Sequence, residues 1–159
     1  MKKLLALIAV LAAALFAFSS CTERAQVDEE SGYALYFLSD LDTSGGADAI
    51  AASGTRFTPD ETMETEDCVR ALMEALLAGP DDSGLRSPIP EGTALRSVVV
   101  SGRRAQVDLS AQYGRLSGID LSLADYCITL TLSQLPNVNA VSITAEGSEL
   151  PYRKTQVLL

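Results

Sequence analysis

Between Thr65 and Pro80 the chain carries the pattern that most narrows its possible folds. Val69, Leu72, Met73, Leu76 and Leu77 recur at i, i+3, i+4, i+7 and i+8, the spacing that lines one side of an α-helix. Thr65-Glu66-Asp67 supplies a capping hydroxyl and carboxylates for the positive end of the helix dipole. Gly79-Pro80 ends the helix, because Gly adopts the left-handed conformation past the last turn and Pro cannot continue the ladder. An amphipathic helix of this length draws its stability from covering its apolar stripe, so the rest of the chain must supply a second layer.

The remaining runs supply that layer. Tyr33-Ala34-Leu35-Tyr36-Phe37-Leu38 reads as a largely buried first strand, and a weaker second strand is expected near Ile50 and again around Arg56-Phe57. Asp81 to Thr93, with Gly84, Pro88, Pro90 and Gly92, reads as a loop. Leu95–Val100 and Ala105–Leu109 flank Ser101-Gly102-Arg103-Arg104 as a hairpin, and the alternation of Val107 and Leu109 with Gln106 and Asp108 gives it one buried face. A second helix is expected from Leu121 to about Gln134, with Asp120 as N-cap. Its buried face would comprise Leu121, Ala124, Ile128, Leu132 and Leu135, and Pro136-Asn137 would break it. Ala140–Ala145 is the last strand, turning at Glu146-Gly147. The order ββαββαβ predicts an α+β fold: a two-layer sandwich with a mixed or antiparallel sheet and two helices on one face.

Residues 1–20 have another character. Lys2 and Lys3 precede a charge-free apolar run from Leu4 to Phe18, shorter than the about 20 residues a spanning helix needs and suited to a signal peptide. Phe18-Ser19-Ser20-Cys21 at its end resembles the bacterial lipobox, which implies cleavage before Cys21 and acylation of its thiol. Loss of Lys2 and Lys3 leaves 10 basic against 21 acidic residues, net −11, so acyl chains rather than headgroup attraction would hold the protein to the bilayer. Residues 21–32 read as the lipidated Cys and an acidic tether, averaging ~20 Å and reaching ~40 Å. The folded domain is expected over 33–152 and a short tail over 153–159.

The motifs in that domain are specific. Ala75-Leu76-Leu77-Ala78-Gly79-Pro80, Ser87-Pro88-Ile89-Pro90-Glu91-Gly92-Thr93-Ala94-Leu95 and Val107-Asp108-Leu109-Ser110 occur in order, followed by Tyr126, Ile128, Thr131-Leu132, Leu135-Pro136-Asn137-Val138, Val141 and Gly147. Together they resemble the GerMN domain over roughly Tyr33 to Gly147. Cys127 and Leu130 stand where that family commonly has Gln and Asn, and Asp40–Thr58 matches poorly. The resemblance implies a fold similar to ring-building-motif domains and an extracytoplasmic, membrane-anchored setting. It also implies a non-catalytic role in sporulation or spore germination through contact with envelope or spore-channel proteins.

The residues themselves point away from most chemistry. The 159 residues include no His, which excludes His-dependent triads and His-ligated zinc, and Lys occurs only at Lys2, Lys3 and Lys154. The formal charge of −9 argues against nucleic acid as a partner. Asp40-Leu41-Asp42-Thr43-Ser44-Gly45 imitates the start of a calcium loop, with Asp48 at position 9. Position 12 is Ala51 rather than a bidentate Glu, so a solvated turn is expected. Cys68 and Cys127 leave a disulfide or two free buried thiols open. Glu61, Glu64, Glu66 and Asp67 gather where the helix dipole accounts for them, and Arg103-Arg104 reads as a solvated hairpin tip or a contact for a partner or glycan. No catalytic residue, metal ligand, cofactor or small-molecule substrate emerges; Cys21, as a lipidation site, is the one functional residue expected. The resulting reading is a lipoprotein on the outer face of the cytoplasmic membrane, acting by protein contact in an envelope complex. A cell-wall glycan-binding module and a regulatory lipoprotein of a membrane sensor kinase are the alternatives. A carboxylate hydrolase using Asp81, Asp82 or Asp108 is a further one.

Overall fold

The computed structural model describes residues 32–40, 49–55, 57–59 and 62–150. The leader, Cys21, the tether as far as residue 31, most of the calcium-like turn (41–48), Arg56, Glu61 and the C-terminal tail lie outside these residues. Strand β1 (Ala34–Ser39) pairs antiparallel with β2 (Ile50–Gly54) on one edge. On the other edge it pairs with β3 (Leu85–Arg86) through Leu38 and Ser39 alone. Strands β4 (Leu95–Ser101) and β5 (Arg104–Leu109) form the expected hairpin, and β6 (Ala140–Ala145) adds to β5 in parallel.

Helix α1 (Thr65–Ala78) precedes β3, and α2 (Gly118–Leu132) makes the crossover from β5 to β6. The fold is α+β, with the helices and most strands where the periodicity puts them. In detail the strands form two three-stranded ladders, β2-β1-β3 antiparallel and β4-β5-β6 mixed, rather than one sheet. The cause lies at the second edge of β1. The Gln134 side-chain oxygen accepts from the Ala34 N–H at 2.9 Å, and its amide nitrogen donates to the Ala34 carbonyl at 2.7 Å. Thr131 Oγ1 accepts from the Tyr36 N–H at 3.2 Å. Side chains from the end of α2 thus occupy the hydrogen-bonding positions that a strand would need.

Both helices serve both ladders: α1 packs on β4 and β1, α2 on β1 and β6, and the helices touch each other. The core between them includes Phe37, Val69, Leu72, Met73, Leu76, Val107, Leu109, Tyr113, Leu121, Ile128 and Leu132, each no more than 1% exposed. Gly79 at φ +86 ends α1 and returns its N–H to the Leu76 carbonyl, as Gly-Pro implies. The hairpin turns on Gly102 at φ +60, between the paired Ser101 and Arg104.

Four local expectations need correction. The N-cap of α1 is Glu64, with no side-chain cap bond, because Thr65 has already joined the helix. Helix α2 begins at Gly118 with Ser117 as N-cap, so Asp120 sits in its first turn instead of capping it, and it ends at Leu132 rather than Gln134. The second strand stops at Gly54, leaving Phe57 outside it and near Tyr33, with ring centroids 6.3 Å apart and the rings tilted by 31°. The Asp81–Thr93 segment contains β3, a two-residue strand.

Candidate interaction surface

The motif residues are spent on holding the fold. Val107 and Leu109 enter the core, while Asp108 between them faces outward. Its carboxylate accepts hydrogen bonds from the Thr144 hydroxyl and the Gly147 N–H, both at 2.7 Å, and pairs with Arg96 at 3.2 Å. Arg96 also pairs with Glu146 at 3.1 Å, and Glu146, held at φ +52, accepts from the Ala111 N–H. This network locks the turn after β6 onto the β4–β5 hairpin. Burial works against ionisation of Asp108, but the bonds from Gly147, Thr144 and Arg96 outweigh it and lower its pKa. Ser110 closes the far end of the hairpin by accepting from the Ala94 N–H at its Oγ and donating its own N–H to the Ala94 carbonyl. In the Pro-rich loop, Ser87 brackets Ile89 and Thr93 donates to the Pro90 carbonyl, which seats Ile89 in the core.

Other candidates are similarly committed. Cys68 and Cys127 are both buried free thiols, so the disulfide alternative does not occur. Burial pushes the Cys127 pKa up to about 11, and burial together with nearby Asp67 raises that of Cys68, so neither is a thiolate nucleophile at neutral pH. Glu66 pairs with Arg70 at 3.7 Å and accepts from the Val100 N–H, fastening α1 to β4. Asp82 accepts from the Gly84 N–H, forming a side-chain-closed turn. Arg103 and Arg104 are both exposed, and Arg103 donates to the Pro136 carbonyl, so it bridges the hairpin to the segment just after α2. Asp40 is exposed and Ala51 pairs with Phe37, while Asp42 and Asp48 lie outside the described residues. Among the described residues, no three His, Cys, Asp or Glu side chains gather to hold a metal. Cys21 also lies outside them.

The feature that sequence reasoning missed is on the outer side of α2. The inner side buries Leu121, Ala124, Cys127, Ile128, Thr131 and Leu132. Ile119, Tyr126 and Leu130 are 74, 63 and 37% exposed. At 100° per residue these three fall within about 40° of one another around the axis, over a length of roughly 16 Å. Thr129 and Ser133 lie alongside, so the exposed face is apolar with small hydroxyl groups at its margin. The helix is held firmly from beneath: the Tyr113 hydroxyl donates to Asp125 at 2.6 Å, and Thr131 and Gln134 anchor its far end to β1. The only sequence sign of this face is that α2 is apolar on both sides, with Tyr126 and Leu130 out of phase with the buried set.

The class of protein is thus a two-ladder α+β domain whose motif residues serve structure and whose second helix leaves one apolar face exposed. The family model described as "Germane: Sporulation and spore germination" matches residues 34–151, and the chain belongs to that family. Among solved structures it is similar to the tandem GerMN domains of the sporulation protein GerM from Bacillus subtilis, with 23% identity and TM-score 0.55. That match covers 80% of this chain and 44% of the tandem, so the chain spans less than half of the GerM pair. The first GerMN domain of the same protein aligns at 18% identity and TM-score 0.52, covering 75% of this chain and 87% of that domain. A Clostridium perfringens chain described as a candidate lipoprotein aligns at 23% identity and TM-score 0.49, covering 72% and 74%. No curated protein matches the chain.

Proposed function

We propose that this protein is a lipid-anchored, extracytoplasmic GerMN lipoprotein that acts by protein contact, without catalysis, in an envelope complex of sporulation or spore germination. The observation that carries the contact role is the exposed Ile119–Tyr126–Leu130 face on a helix fixed to both ladders. Burying a fully exposed large apolar side chain yields about 1.5–3 kcal/mol, so Ile119 and Tyr126, 74 and 63% exposed, have most of that to gain against a partner and Leu130, 37% exposed, about a third of it. The family description supports the sporulation setting. The lipobox-like Phe18-Ser19-Ser20-Cys21 after an apolar run supports the anchor.

The deciding experiment is fractionation of cells expressing the full-length protein with Cys21 intact or with Cys21→Ala. The intact protein is expected in the membrane fraction, released by detergent and not by salt, and the variant in the soluble fraction. Equal partition of the two would defeat the anchor. A deletion strain with unchanged sporulation and germination would defeat the setting.

A further inference from the structure

We infer that the Ile119–Tyr126–Leu130 face receives a partner protein whose apolar surface is rimmed by Lys or Arg. The inference rests on the contact role proposed above and adds the partner's chemistry. Three large apolar side chains set the shape of the site: Ile119 in the first turn of α2, Tyr126 at mid-helix and Leu130 one turn on. Charge decides among possible occupants. From Leu116 to Leu150 the chain contains no Lys or Arg, whereas exposed Asp120 lies about 100° round the helix from Ile119, and half-buried Asp125, which accepts from Tyr113, lies about 100° from Tyr126 on the other side. A second copy of this chain, with 10 basic against 21 acidic residues once the leader is lost, would bring a net charge of −11 and no cation on α2 to offset these carboxylates. An anionic bilayer surface would be repelled on the same ground. A partner with cations around an apolar centre satisfies both parts of the face: the apolar residues supply the affinity, and the charged rim supplies orientation and rate.

The test is photocrosslinking in cells that express the full-length protein with benzoylphenylalanine in place of Tyr126. A second strain carries it in place of Val99, which is 50% exposed on β4, away from α2. Position 126 should give one discrete protein adduct that position 99 lacks, and peptide mapping should place the crosslink on an apolar patch flanked by Lys or Arg. Adding Asp120→Lys should lower the adduct yield about fivefold, the effect of turning one rim attraction into repulsion. Because Asp120 is exposed, that change leaves the core intact, and unchanged far-ultraviolet circular dichroism would verify it.

An adduct of twice the chain mass, a lipid adduct, an acidic crosslink site or a yield indifferent to Asp120→Lys would each overturn the inference. An adduct at position 99 alone would overturn it while sparing the contact role. Absence of adducts at every exposed position sampled would overturn both.

Discussion

Asp108 is an acidic side chain in a position that invites a catalytic reading, yet all its bonds are internal. Because its pKa is lowered in the folded state, it contributes stability above the unfolded value of 3.8, and that contribution is lost as the pH falls through its folded pKa. Asp108→Ala is therefore expected to cost about 1–3 kcal/mol at pH 7, read by urea denaturation, with the gap from the parent protein narrowing below pH 3.8. Gln134 carries a comparable load. Gln134→Ala strips both partners from the Ala34 backbone and should cost about 1–3 kcal/mol. In hydrogen exchange the Ala34 amide should quicken while the Tyr36 amide, held by Thr131, stays protected. The alternation around Asp108 made its outward direction legible in the sequence. The pairing of Gln134 with Ala34 was not, because the two are 100 residues apart and a glutamine near a helix end has no pattern that names its acceptor.

At the scale of elements, legibility followed contrast. Helix α1 sets an apolar side against Glu66, Arg70 and Glu74, so its period is plain, and Gly-Pro marks its end. Helix α2 is apolar on both sides, so its pattern identifies a helix without separating the buried face from Ile119, Tyr126 and Leu130. Strand β3 has only two residues, too few for any period to register. Gly79 gives an element-level test. It sits at φ +86 and ψ 174, and an added Cβ would meet nothing within 4 Å. Gly79→Ala should thus cost about 1–3 kcal/mol from backbone strain alone, without a packing defect. Thermal unfolding checks the stability loss, and unchanged side-chain methyl shifts in the core would confirm its origin.

Across the whole molecule, the two ladders and two helices share one core, and Cys68 and Cys127 report on its integrity. In a Cys21→Ala background, both thiols are expected to resist a disulfide reagent at pH 8 and to react at the rate of global opening. Fast labelling of Cys127 in the native protein would contradict a thiol buried with a pKa of about 11. The overall architecture was legible because each element's burial follows its own period. The split into two ladders was not, because side chains rather than a strand close the edge of β1. That closure also imposes an order on assembly. The two groups that close it, Thr131 and Gln134, lie 95 and 100 residues along the chain from the amides they cover, so the second edge of β1 stays open until the end of α2 has formed and docked. Until then Ala34 and Tyr36 present bare amides to any passing strand, which makes the unfinished fold, rather than the native one, the form open to edge-to-edge pairing.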